Sequence, residues 1–399
     1  MKSIVPLFAA LAIAFAPTGQ AQAGAKDPQV QTKAAKAKAA KAKAAKAKSK
    51  KDKAAGKRVS ARSSKVLKAA PAAAMIDYDG EHHNFLEWQV VREFMDEMAT
   101  QHGFERAYLE SLFGQARFID SAVQLVKPAP PGKPKNWQAY RDRFIEPIRI
   151  AAGVRFWNEN AETLARAEAA YGVPAEIIVG IIGVETIYGR DTGKFRVLDT
   201  LATLAFAYPE TPNRAARMAF FRSELANTLL FAREHRVEPF SLLGSFAGAV
   251  GMPQFMPGSI LKYGVDFNKD GQIDLRQSSD DAIGSVANFL IQHGWNPEHR
   301  NSPVTPADVS PNHAWEPLLE RGLKATLRPE ELRIVGVTTA TPLSAERLYG
   351  LVDLQNGAEA TEYWVADDNF FAITKYNRSY FYAMSVIELG RAVRASRGG

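Results

Sequence analysis

One carboxylic acid in this chain is set into an apolar run, and it is the residue best placed for proton chemistry. Glu185 stands in Val173-Pro-Ala-Glu-Ile-Ile-Val-Gly-Ile-Ile-Gly-Val-Glu-Thr-Ile-Tyr-Gly. Pro174 suits the first turn of a helix, where its missing N–H is harmless. The residues after it are apolar almost all round, which predicts a buried helix with Glu185 near its end. Desolvation and the negative end of the helix dipole both disfavour the anion there. A raised pKa keeps the acid protonated near neutral pH, the state a general acid requires. The same carboxyl would also serve a structural network with Tyr188, Arg190 or backbone groups.

Two further segments carry chemistry. Gly244-Ser-Phe-Ala-Gly-Ala-Val-Gly-Met-Pro-Gln-Phe-Met-Pro-Gly-Ser is dense in glycine and weakly polar, so its backbone can come close to a ligand. Ser245 and Gln254 can hydrogen-bond hydroxyls and amides beside the apolar Phe255 and Met256, a mixture that suits a sugar and equally a tightly packed turn. Asp266-Phe-Asn-Lys-Asp-Gly-Gln-Ile-Asp-Leu begins as an EF-hand loop does. Asp266, Asn268 and Asp270 are its oxygen ligands, Gly271 makes the turn, and Gln272 offers its carbonyl. Gln277 stands where the closing Glu belongs, so a plain Asx-rich turn is the other reading. The role of any metal there is structural. The His residues show no HExxH pair, and no metallohydrolase is supported.

These segments need a scaffold. Residues 84–103 repeat apolar side chains at helical spacing, with Gly103 as the cap. Helical patterns also run from Trp137 to Arg149, from Phe156 to Tyr171, onward to about Gly294, and again from Tyr380. Between 330 and 375, short β-type runs (Leu332 to Val337, Tyr363 to Ala366, Phe370 to Thr374) are separated by turn residues. The fold class is therefore α+β, mainly helical, with a small β element before the last helix.

The ends of the chain are of another kind. Lys2, the apolar run Ile4 to Ala16 and Ala21-Gln22-Ala23 form the three-part layout of a secretory signal over residues 1–23. Residues 24–74 form a Lys/Ala-rich linker with too little apolar surface for a core. From Lys33 to Lys68 it carries 15 Lys or Arg against one acid, Asp52, so the body from residue 75 to 399 is acidic although the whole chain is formally +7. That split removes the basic pI as an argument for a specific nucleic-acid ligand. The tail suits anionic envelope polymers or a membrane surface, or is a solvated spacer. Absence of cysteine excludes disulfides, thiolate metal sites, thiol nucleophiles and amino-terminal lipidation. Nothing in the sequence calls for an obligate assembly, and a monomer is expected.

Gly183-Val-Glu-Thr-Ile-Tyr-Gly, the Gly244 to Ser259 segment and Ile373-Thr-Lys-Tyr-Asn-Arg-Ser-Tyr-Phe-Tyr, in this order, resemble the lytic murein transglycosylase B family. The likeness covers most of residues 78–397 and not the basic tail. It implies a lysozyme-like catalytic core with an additional helical domain, and cleavage of peptidoglycan glycan strands in the periplasm without a catalytic cofactor. By the same likeness Glu185 is the sole acid/base, and closure of a 1,6-anhydro ring on N-acetylmuramic acid replaces attack by water. Tyr140, Arg217, Ser245, Gln254, Tyr376, Asn377 and Tyr382 would then contact sugar. Ala216 departs from the family's paired arginines. A longer metal loop would be closed by Asp281, with Asp280 adjacent, and would hold a structural calcium. No second acid shares Glu185's setting: Asp191, Glu210 and Glu224 read as surface or capping residues, Glu224 being the first to reconsider. A hydrolase of the same glycan, needing a second carboxylate, and a non-catalytic wall binder are the competing readings.

Overall fold

Two helices cross at the centre of the molecule because each carries a glycine at the point of contact. The computed structural model describes residues 84–128, 134–299 and 302–398. In it the helix Ala175–Thr186 lies against the terminal helix Tyr380–Arg397. A β-carbon on Gly180 would stand 2.2 Å from the carbonyl oxygen of Val386, and one on Gly390 2.1 Å from that of Glu176. Every residue of Ala175–Thr186 except Glu176 and Glu185 is buried, as an all-round apolar helix requires.

Helices from the rest of the chain enclose this pair. Pro147–Glu159 and Ala161–Tyr171 pack on one side, with Ser279–Gln292 beyond them. Val197–Ala207 and the long helix Arg214–Glu234 form a further layer, against which Pro257–Tyr263 rests. Gln89–His102 ends at Gly103 in the left-handed conformation (φ 67°), as its sequence predicts.

The β element is an antiparallel sheet of four strands among the described residues, in the order Val337–Thr339, Val304–Val309, Glu359–Ala366, Gly350–Asn356. It covers its own apolar cluster, which includes Trp315, Leu327, Leu332 and Leu351.

The mainly helical α+β reading holds, with local corrections. Leu332 to Val337 is not a strand. The helix Pro329–Ile334 occupies its start, with proline in the first turn and Glu331 accepting the Arg328 N–H at 2.7 Å. Phe370 to Thr374 is likewise not a strand: Phe370 to Ile373 end the helix Asp368–Ile373 and Thr374 is its C-cap, and Asp367 caps its start through the Asn369 N–H. Short apolar runs do not distinguish the two states by periodicity. The pattern from Trp137 to Arg149 splits into Trp137–Arg141 and Pro147–Glu159, where Glu146 caps a new helix begun by Pro147. The pattern from Phe156 breaks at Asn160. The export signal (1–23) and the Lys/Ala-rich linker (24–74) lie outside the described residues.

Candidate active site

The helix that carries Glu185 ends abruptly one residue later. Ile187, Tyr188 and Gly189 all have positive φ (51°, 57° and 83°), and the Ile187 and Tyr188 N–H groups turn back to the carbonyls of Gly183 and Ile182. A β-branched residue in the left-handed region is strained, and here the strain releases the chain directly after the acid. Thr186 ties the break to the glycine-dense segment, donating to the Met252 carbonyl at 2.8 Å and accepting the Gly189 N–H at 3.1 Å.

Glu185 is partly open to solvent yet walled by aromatic rings. Tyr382, fully buried near the start of the terminal helix, donates its hydroxyl to Glu185 Oε1 at 2.7 Å. Tyr376 stacks on Tyr382 with centroids 6.2 Å apart and donates to the Pro253 carbonyl at 2.5 Å. Tyr140, packed on Phe144 and Phe381 with Arg143 over its ring, completes the wall. Burial pushes Glu185 up to about 7, and the Tyr382 hydrogen bond pulls partly against it. Burial, reinforced by the Glu185 charge, holds Tyr376 and Tyr382 well above the usual phenol range.

The other expected sugar-contacting residues fall into two groups. Gln254 (φ 52°) and Asn377 share a pocket of ≈ 230 Å³ with Tyr376, Phe220 and Glu224. The amide nitrogen of Gln254 is committed to the carbonyls of Gly251 and Thr192, at 2.9 and 3.3 Å, whereas Asn377 Oδ1 is buried without a partner. Ser245 is buried, and its hydroxyl accepts the Ala249 and Ala247 N–H groups at 3.0 and 3.4 Å, shaping the loop from within. Arg217 sits half-buried on the long helix, its Nε without a partner.

Of the other acids singled out in the sequence, Glu224 and Glu210 are engaged elsewhere. Glu224 is buried, and its carboxylate caps Pro257–Tyr263 through the Gly258 N–H at 2.7 Å, with Asn227 as a further donor. Glu210 is exposed and pairs with Arg214. Asp191 is half-buried, its carboxyl raised by burial and lowered in part by Lys194.

One supporting residue had no signal in the sequence. Arg149 is buried on Pro147–Glu159 and donates Nη1 to the carbonyls of Gly183 and Val184, at 2.6 and 3.3 Å. It thereby satisfies the negative end of the Glu185 helix.

The loop from Asp266 has the EF-type turn, with Lys269 and Gly271 at φ 64° and 91°. Asp266 accepts the Asp270 and Gly271 N–H groups, Asn268 bridges to Asp270, and Asp270 accepts the Gln272 N–H. Asp281 is fully buried and takes the N–H groups of Phe267 and Asp274, both at 2.9 Å, with Asn268 at 3.4 Å, so it joins the two ends of the loop. Asp280 turns outward to Thr163 and Arg166. Burial, and then the nearby Asp266, raise the Asp281 pKa. Among the described residues, no three carboxylates or imidazoles converge on one point. The oxygens of Asp266, Asn268, Asp270 and Gln272 still suit a hard cation, which would relieve the repulsion between Asp266 and Asp281.

Residues 86–391 match the family model described as the transglycosylase SLT domain. The membrane-bound lytic murein transglycosylase B of Escherichia coli K12 is 42% identical over 315 residues, covering 77% of this chain and 83% of that protein. The soluble lytic transglycosylase SltB1 of Pseudomonas aeruginosa has a TM-score of 0.71 at 45% identity, covering 78% of this chain and all of that one. Slt35 of Escherichia coli in complex with calcium has a TM-score of 0.70 at 40% identity, over 82% of this chain and all of that one. SltB3 of Pseudomonas aeruginosa, in complex with NAG-anhNAM-pentapeptide, has a TM-score of 0.65 at 26% identity, over 79% and 80% of the two chains.

Proposed function

The chain belongs to the SLT transglycosylase family, and from that premise we propose that it cleaves the β-1,4 bond between N-acetylmuramic acid and N-acetylglucosamine with Glu185 as its single general acid and base. The activity is that of a lytic transglycosylase acting on peptidoglycan. The observation that carries Glu185's role is its hydrogen bond to Tyr382 inside a desolvated aromatic wall, beside carboxylates already committed elsewhere.

The steps are those the family resemblance implies, fitted to that geometry. The neutral acid keeps Oε1 on the Tyr382 hydroxyl and presents its proton on Oε2 to the glycosidic oxygen. As the C1–O bond breaks, the carboxylate forms, and the Tyr382 hydrogen bond becomes charge-assisted. That carboxylate then takes the proton of the muramyl C6 hydroxyl, whose oxygen closes on C1. Acid and base are regenerated in one turnover, and the substrate supplies the nucleophile, so the second carboxyl of an ordinary glycosidase has no task. Tyr140, Tyr376 and the pocket of Gln254 and Asn377 would hold sugar rings, with Asn377 Oδ1 as an acceptor awaiting a hydroxyl or amide. Arg217 offers charge to the lactyl or peptide side of the strand. Ser245 would act mainly by fixing the loop.

A structural divalent cation, calcium by its oxygen donors, belongs at Asp266, Asn268, Asp270 and the Gln272 carbonyl. Asp281 would close the loop by holding its backbone. The chain is read as exported by residues 1–23 and acting in the periplasm, unlipidated, with the basic segment as an envelope tether.

Mass spectrometry of products released from purified peptidoglycan tests the reading. Products ending in 1,6-anhydromuramic acid, one water lighter than hydrolytic ones, are expected; reducing ends would overturn it.

A further inference from the structure

A second pocket, of ≈ 540 Å³, opens between the sheet and the far end of the terminal helix. Its wall includes Trp364, Arg347, Arg391, Asp367, Pro306 and Pro342. It is separate from the glycan groove. Arg391 follows Tyr382 by nine residues on one helix, which is two and a half turns, so it lies roughly 14 Å along the axis and on the opposite face.

The polar groups of this pocket are incompletely matched. Asp367 is buried and matched, accepting the Asn369 N–H at 3.0 Å, with Phe370 as a further backbone donor, and pairing with Arg347 Nη1 at 3.6 Å, whereas two other groups are less well served. Arg391 donates to the hydroxyl of Ser302, and among the described residues no carboxylate lies within ion-pair reach of it. The indole Nε1 of Trp364 is buried without an acceptor. Two guanidinium groups face one carboxylate, beside an aromatic ring and proline faces. That inventory suits a ligand with a carboxylate for the arginines and a flat or aliphatic body for the ring.

We propose that this pocket binds a carboxylate-bearing peptide, and that in the cell wall this is the stem peptide of a strand neighbouring the one under cleavage. The choice of wall peptide rests on the activity above; the chemistry of the pocket does not. A neighbouring strand fits better than the cleaved one, because the pocket and the acid face opposite sides of the terminal helix. Such a site would anchor the enzyme during cleavage without contacting the reacting bond.

The test is calorimetric titration of the full chain with a synthetic sugar-free stem pentapeptide, with the same peptide amidated at its carboxyls, and with inorganic phosphate. The free-acid peptide is expected to bind, and amidation or Arg391→Ala to weaken it by about tenfold, the order of one charge-assisted hydrogen bond. Trp364→Phe, which keeps the ring and removes the N–H, is expected to weaken it severalfold. Arg391→Ala is expected to cleave stem-free glycan at the parental rate. Failure of the parent to bind the peptide, binding unchanged in both variants, or equal affinity for phosphate would each overturn the assignment. Because titration needs no turnover, a chain inactive on glycan that still bound the peptide would count against the activity and leave the pocket standing.

Discussion

The Tyr382 hydroxyl meets Glu185 Oε1 at 2.7 Å across a helix–helix crossing, although 197 positions separate the two residues in the chain. The contact opposes burial, which alone would push the acid higher still. Tyr382→Phe removes the opposing hydrogen bond. It is expected to lower kcat by about tenfold or more and to move the alkaline limb of the pH–rate profile upward. A profile unchanged in position would show that Tyr382 only fills space.

The crossing itself depends on Gly180. A methyl group there meets the Val386 carbonyl, main chain that does not swing aside. Gly180→Ala is therefore expected to cost about 1–3 kcal/mol, read as a lower denaturation midpoint, and to reduce cleavage by pushing Tyr382 away from Glu185. Full activity at parental stability would mean the helices part without consequence.

Arg149 is a positioning residue. Its guanidinium donates to two carbonyls immediately before Glu185, and Arg149→Met takes that donor from the Val184 carbonyl and leaves Gly183 only the Ile187 N–H, at a cost of about 1–3 kcal/mol. Measured on the folded fraction, kcat should fall with KM unchanged, and Arg149→Lys should restore part of it. Equal loss in both variants would reduce the role to folding alone.

Chelation checks the loop at Asp266. If a cation sits there, removing it exposes the repulsion between Asp266 and Asp281. The melting temperature should then drop and return on adding calcium, with the 1,6-anhydro product unchanged. A melting temperature indifferent to both treatments would exclude the site.

Different parts of this molecule were legible in the sequence for different physical reasons. Glu185 stood out because the apolar residues that precede it in the chain set it at the end of a buried helix. Tyr382 and Tyr376 were accessible only through family resemblance, since their contacts run between distant segments. Arg149 gave no signal because it binds backbone carbonyls, which every sequence has. The run Phe370 to Thr374 reads as a strand from its residues, yet it ends the helix that Asp367 caps. The bonds from Asp281 to the backbone of its loop are likewise invisible in the sequence, where only the family resemblance singles that residue out.

The raised acid also sets a pH dependence of stability. Glu185 moves from its ordinary 4.5 to about 7 on folding, so between those values the folded chain keeps a proton that the unfolded chain has released. Folding stability therefore falls as pH rises through this window, by at most about 3 kcal/mol for this group, and is flat with respect to it above about 7. Glu185→Gln removes the ionisation while keeping shape and the Tyr382 contact. At pH 8 the variant should melt higher than the parent, and near pH 4 the two should coincide. Cleavage should drop by about 10²–10⁴-fold or more, with glycan binding retained. A variant that melts with the parent at both pH values would show that Glu185 is solvated in the folded state. Near-parental cleavage would remove it from the chemistry altogether.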